Sequence, residues 1–143
     1  MIVKLLPKQI PFFWDAIKFS AVRSDEVKGE AVQPYLTELL HALLSDKAQC
    51  FVRLDEKRTL LGILITRVVV NKITGVKYLL LQNLFSWLQQ DDDVWINDYM
   101  YVKKFAESEE CRYISLSTGN PAIFELANRL GFKEQSRTYT VKM

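Results

Sequence analysis

The chain has 143 residues, of which 49% are apolar and 25% charged, with 19 basic side chains against 17 acidic ones. That length suits one domain with a sizeable core, and the proportions are those of a globular protein rather than a disordered one. The charges are scattered along the chain, so no basic stripe offers a surface to nucleic acid.

The N-terminal run Met1 to Pro7 is too short, and too soon broken by proline, for a secretion signal. The longest apolar runs, Val68–Val70 and Leu79–Leu81, fall far short of a bilayer span. The sequence therefore predicts a protein of the cytoplasm with no membrane partner. In that reducing compartment Cys50 and Cys111 are expected as free thiols. The single histidine, His41, stands among Leu39, Leu40, Leu43 and Leu44. It reads as the polar face of a helix, not as a zinc ligand or the centre of a catalytic triad, and no metal is expected.

In chain order, Ile2–Leu6 reads as a short strand stopped by Pro7. Pro11 opens a helix with Phe13, Ile17 and Ala21 at fourfold spacing. Residues 24–31 are polar, contain Gly29 and read as a loop. A second helix from Val32 to Ser45 carries Val32, Leu36, Leu39 and Leu43 on one stripe. Ala48–Leu54 and Leu60–Val70 then read as strands, joined by the charged turn Asp55–Arg58. The turn Asn71–Gly75 leads into Val76–Trp87, where Leu80, Leu84, Trp87 and Leu88 also fit a helix. The preceding turn favours a strand in hairpin.

Asp91, Asp92 and Asp93 lead a third helix with Trp95, Tyr99, Val102 and Ala106 on one face, and their carboxylates suit its N-terminus. Tyr113–Ser117 alternates as a strand. The last helix has Asn120 as its cap, Pro121 as its first residue and Gly131 as its left-handed stop. Phe132–Arg137 and Thr138–Val141 read as two closing strands. No repeat or linker divides the chain, so residues 1–143 are expected as one α/β domain of the α+β type. A mixed, mostly antiparallel sheet with flanking helices follows from that order.

The block from Ile114 to Phe132 resembles the last conserved block of the GNAT superfamily of N-acyltransferases. It has a strand, an asparagine opening a helix and a Leu-Gly-Phe ending it, with Asn120 and Gly131 eleven residues apart. The ending with Arg137 and Tyr139 is similar too, and Leu60–Ile65, with Gly62, looks like the family's third strand. The resemblance implies a GNAT-like acyl-CoA N-acyltransferase fold in which Val76–Trp87 and Tyr113–Ser117 splay apart around acetyl-CoA. The donor's pantetheine arm would then pair near Phe85, Ser86 and Trp87, and an amine would attack the thioester directly. Backbone N–H groups would hold the oxyanion, a base would take the proton, and a tyrosine on the last helix would return one to the thiolate.

Two departures stand against that pattern. The family's phosphate loop, Gln/Arg-x-x-Gly-x-Gly/Ala, lets backbone amides approach a pyrophosphate at a helix N-terminus. Here no glycine occurs between Gly75 and Gly119, and the loop falls on Gln89-Gln90-Asp91-Asp92-Asp93-Val94. Gln89 stands for the leading residue, and Asp92 and Val94 take the glycine positions. Ala127, seven residues after Asn120, replaces the tyrosine acid, with Tyr99, Tyr101 and Tyr139 as substitutes. No glutamate on the central strand serves as base. Asn120 contacts the cofactor or simply caps its helix, and Gln82 and Asn83 either face the acceptor or are satisfied polar positions.

Two functions follow. One is an acyl-CoA-dependent N-acyltransferase, an acetyltransferase by the resemblance, acting on a small-molecule or protein amine, with acetyl-CoA as donor. The other is a GNAT-fold protein without catalysis, a binding or structural subunit of the kind known among bacteriophage-encoded proteins. That second function would bring a protein partner or a homo-oligomer.

Overall fold

The structure, a computed structural model, describes residues 1–118 and 120–143. Five strands form one sheet in the order β1 (Ile2–Lys4), β2 (Ala48–Leu54), β3 (Leu60–Val70), β4 (Lys77–Ser86) and β5 (Tyr113–Leu116). The first four run antiparallel, and β5 joins β4 in parallel. Both tight hairpins are made by side chains that replace water on turn amides. Asp55 Oδ1 accepts from Lys57 and Thr59 N–H, each at 2.8 Å. Asn71 Oδ1 accepts from Ile73 and Thr74 N–H at 2.9 and 3.1 Å. With Gly75 at φ +72°, that second turn commits the ambiguous segment to a strand, as the sequence predicts.

Helices cover both faces. α1 (Ile10–Ser24) and α2 (Val32–Leu44) lie on one side, where Ile17, Ala21, Leu39 and Leu43 meet Cys50, Val52, Ile63 and Ile65. These positions follow the helical stripes of the sequence. Each large aliphatic side chain removed from water there contributes about 1.5–3 kcal/mol. His41 is exposed on α2, as expected of its polar face. On the other side α3 (Asp92–Ser108) packs Val102 and Ala106 against Phe51 and Leu79. A buried bond from Thr66 Oγ1 to Gln49 Oε1, 2.9 Å long, ties β2 to β3 within the same sheet.

α4 (Pro121–Arg129) begins as predicted, with Asn120 Oδ1 accepting the Ala122 N–H at 3.0 Å, and it is followed by Gly131 at φ +90°. Its apolar stripe is only half-buried. Two expectations are corrected. Residues 132–143 form no strand, so Phe132–Arg137 and Thr138–Val141 do not close the sheet. Phe132 instead packs edge-on against Tyr99. At the start of α3, Asp91 is the capping residue, but its side chain accepts no helix N–H. Asp92 instead pairs with Arg129 of α4 at 3.4 Å.

Candidate functional site

β4 and β5 pair only from Tyr78↔Tyr113 to Leu81↔Leu116. β5 stops there, while β4 continues through Gln82–Ser86 with β3 alone beside it. The two strands thus part, and a cleft of about 870 Å³ opens between β4, the end of α1 and the segment after β5. Its wall carries Asp25 and Glu26 on one lip and Ser117, Thr118 and Asn120 on the other.

A bulge sits at the point of divergence. The β3–β4 register passes from Ile65↔Asn83 to Thr66↔Leu81, leaving Gln82 as the extra residue. Gln82 and Asn83 therefore both face α1 and α2. Gln82 Oε1 accepts from Arg67 Nε, and Arg67 makes a two-pronged contact with Glu38 of α2 at 2.8 and 2.7 Å. Those Arg67 hydrogen bonds hold the Glu38 carboxyl below its usual range.

Asn83 is 3% exposed, yet neither atom of its amide has a hydrogen-bond partner of normal geometry. It lies beside the Tyr35 hydroxyl, which donates instead to Asp25 Oδ2 at 2.6 Å. Burial, then the bond to Asp25, pushes the Tyr35 pKa well up, so this hydroxyl stays protonated. The Asp25 carboxylate, fixed by Tyr35, lines the cleft.

Behind the cleft, between the sheet and α3–α4, lies a smaller apolar cavity of about 80 Å³. Tyr99 and Ala127 both line it, and burial raises the Tyr99 pKa. Tyr101 packs on Phe51, and Tyr139 is 84% exposed in the tail. Of the tyrosines offered as substitutes for the missing acid, Tyr99 alone lines this cavity. Gln90 Oε1 is buried at the cavity wall with no partner, close to Gly62.

The residues named from the sequence divide. Phe85 and Ser86 reach the cavity wall and Asn120 the cleft, where it caps α4. Trp87 gives its N–H to Leu61 O at 2.9 Å and stacks on Phe19, outside both spaces. Gln89 is exposed, and it is Gln90 that turns inward. Asp25 and Tyr35 escaped the sequence reading, and Gln90 stood in the predicted loop without a role, because no periodicity or motif marks side-chain contacts between different elements. Burial pushes the Cys50 thiol up to about 12, leaving it un-ionised at neutral pH. Among the described residues, no group of three or more His, Cys, Asp and Glu could hold a metal ion. No described helix is long and apolar enough to cross a membrane.

The fold is the GNAT acyl-CoA N-acyltransferase fold, a single mixed sheet whose fourth and fifth strands part. Solved structures match over the whole chain. One is an aminoglycoside acetyltransferase from an uncultured soil metagenomic sample, in complex with sisomicin (TM-score 0.73, 16% identity, 95% of that chain covered). A second is a ribosomal-protein-alanine N-acetyltransferase from Brucella melitensis (TM-score 0.69, 14% identity, 99% of that chain covered). A third is an aminoglycoside 6'-N-acetyltransferase from Acinetobacter baumannii (TM-score 0.71, 15% identity, 97% of that chain covered). Each match covers 100% of this chain. No family model matches the sequence, and no curated protein matches it significantly.

Proposed function

We propose that this chain takes an acyl-CoA into the cleft between β4 and β5 and transfers the acyl group to an amine. The observation that carries the reading is the short β4–β5 pairing, which leaves β4 unpaired on the cleft side beyond Leu81. Trp87 N–H points to β3, so by alternation the backbone of Leu84 and Ser86 faces the cleft. The Leu84 carbonyl there accepts from Ser24 Oγ at 3.3 Å. That edge suits the amides of a pantetheine arm, and the unpartnered Gln90 Oε1 suits one of its N–H groups. The diphosphate end fits poorly. Asp91, Asp92 and Asp93 are all exposed where it would lie, and no glycine brings backbone amides close.

The donor supplies an activated thioester. The rest of the chemistry falls to side chains of this chain. An amine entering from the α1–α2 side would meet the Asp25 carboxylate, held by Tyr35, which is placed to take its proton. Tyr99, kept protonated by burial, is the candidate to return a proton to the departing thiolate. The aspartates at α3 and Ala127 in place of a tyrosine favour a second reading, the same fold as a binding or structural subunit without transfer. Equilibrium titration with acetyl-CoA and with CoA tests the first. Micromolar binding of acetyl-CoA is expected, and no heat or shift at millimolar ligand would overturn it in favour of the second.

A further inference from the structure

The acceptor side of the cleft is unevenly charged. Asp25 and Glu26 stand next to each other on one lip, while the opposite lip offers the neutral groups of Ser117, Thr118 and Asn120. Consecutive Cα atoms lie about 3.8 Å apart, so the two carboxylates share a small stretch of wall. Arg23 is the only cation lining the cleft among the described residues. It lies over the Phe19 ring, 4.2 Å from the ring centre, and pairs with neither carboxylate. A concave wall with a surplus of one charge concentrates ligands of the other.

The polar groups behind this lip are incompletely used. Tyr35 donates to Asp25 Oδ2 at 2.6 Å and leaves Oδ1 without a partner among the described residues. Beside the same hydroxyl the Asn83 amide is buried with neither atom bonded, next in sequence to Gln82 of the cleft wall. Buried amides are nearly always paired, so an orphan here needs a partner that arrives with a ligand. An ammonium, with three N–H donors and no acceptor, competes with Tyr35 for the Asp25 carboxylate. The hydroxyl can then turn to the Asn83 oxygen, and the orphan is satisfied. The Glu26 carboxylate is exposed on the same lip and makes no side-chain bond among the described residues, which leaves its charge for a second cation.

We infer that the acceptor is a small diammonium ion, seated with one ammonium on Asp25 and the other on Glu26. Its role as acceptor rests on the acyl-transfer reading of the cleft. Its binding does not, because every group named lies on the acceptor side.

Titration of the full chain at low salt with putrescine, butylamine and γ-aminobutyrate, followed by NMR of backbone and side-chain amides, tests this. The three share one ammonium on a four-carbon chain, and the far end carries a second ammonium, no charge or a carboxylate. A unit charge about 4 Å from a carboxylate in a water-like dielectric changes affinity roughly fivefold. Putrescine is therefore expected to bind roughly fivefold tighter than butylamine, and γ-aminobutyrate roughly fivefold weaker. Glu26→Gln should remove most of both differences, and the Asn83 side-chain amide should shift with putrescine and with butylamine. Equal affinities for the three, or differences undiminished by Glu26→Gln, overturn the dication. An unmoved Asn83 amide overturns the seating of the first ammonium on Asp25. A preference for putrescine in a chain that binds no acetyl-CoA leaves the diamine site standing and overturns transfer to it.

Discussion

The Tyr35 hydroxyl of α2 donates to the Asp25 carboxylate at the end of α1, at 2.6 Å, and so fixes a negative charge on the lip of the cleft. Asp25 follows the last turn of α1, where nothing in the helix itself would orient it. The contact also braces the α1–α2 connection, in which Glu26 is held at φ 51°.

Tyr35→Phe should therefore destabilise the fold by about 1 kcal/mol at neutral pH, the usual worth of one such hydrogen bond. The pH dependence has a definite sign. The folded state raises the Tyr35 pKa above its ordinary value of 10.0, so it holds this proton more tightly than the unfolded chain does. The resulting stability is complete below about pH 10 and is lost as pH rises towards the raised value. Urea unfolding of both proteins at about pH 8 and about pH 11 should show the deficit of the variant narrowing at the higher pH. A gap that widens would mean that the hydroxyl is not held protonated.

Gly131 follows α4 at φ +90°, and a Cβ there would meet nothing within 4 Å. Backbone strain alone should then make Gly131→Val cost about 1–2 kcal/mol. A thermal melt reads it directly. An unchanged melting temperature would show that the chain leaves α4 by another conformation.

The spans of β2 and β3 are legible in the sequence to the residue, because Asp55 and Asn71 write their turns into side-chain chemistry. The amphipathic stripes of α1 and α2 and the cap of α4 are equally plain. The tail misled for a physical reason. Residues 132–141 have the composition of strands, but composition says nothing of whether a partner edge receives them. Nor does any glycine or proline announce the bulge at Gln82, and without the bulge Asn83 would not share the face of Gln82. Side chains that meet from different elements, such as Tyr35 with Asp25 and Gln90 beside Gly62, leave no periodic trace at all.

Arg53 of β2 and Asp98 of α3 meet in a bidentate pair, their side chains only 18% and 14% exposed. Asp98→Ala leaves the guanidinium largely buried without a partner and should cost about 3 kcal/mol. Asp98→Asn keeps the shape and one acceptor, and should cost less. Chemical denaturation of the two variants checks the order. A loss below about 0.5 kcal/mol for Asp98→Ala would place the pair among solvated surface contacts.

The α3 N-terminus bears on function most directly. Asp91 does not cap the helix, so its first N–H groups have no side-chain acceptor from that residue, while Asp92 engages Arg129 at 3.4 Å with both side chains half exposed. Replacing Asp92 by Gly and Asp93 by Asn removes two negative charges and releases Arg129. Each charge near a phosphate opposes binding by on the order of 1 kcal/mol in a water-like dielectric. The double variant is thus expected to bind acetyl-CoA about thirtyfold more tightly at low salt. At about 0.5 M salt the screening length falls to a few ångströms, and the gain should shrink. Pantetheine, which carries no phosphate, is the control, and its binding should be the same in both proteins. A double variant that binds acetyl-CoA more weakly than the wild type would make the aspartates ligands of the donor. Loss of wild-type binding on adding a chelator would then show that a divalent cation bridges them to it.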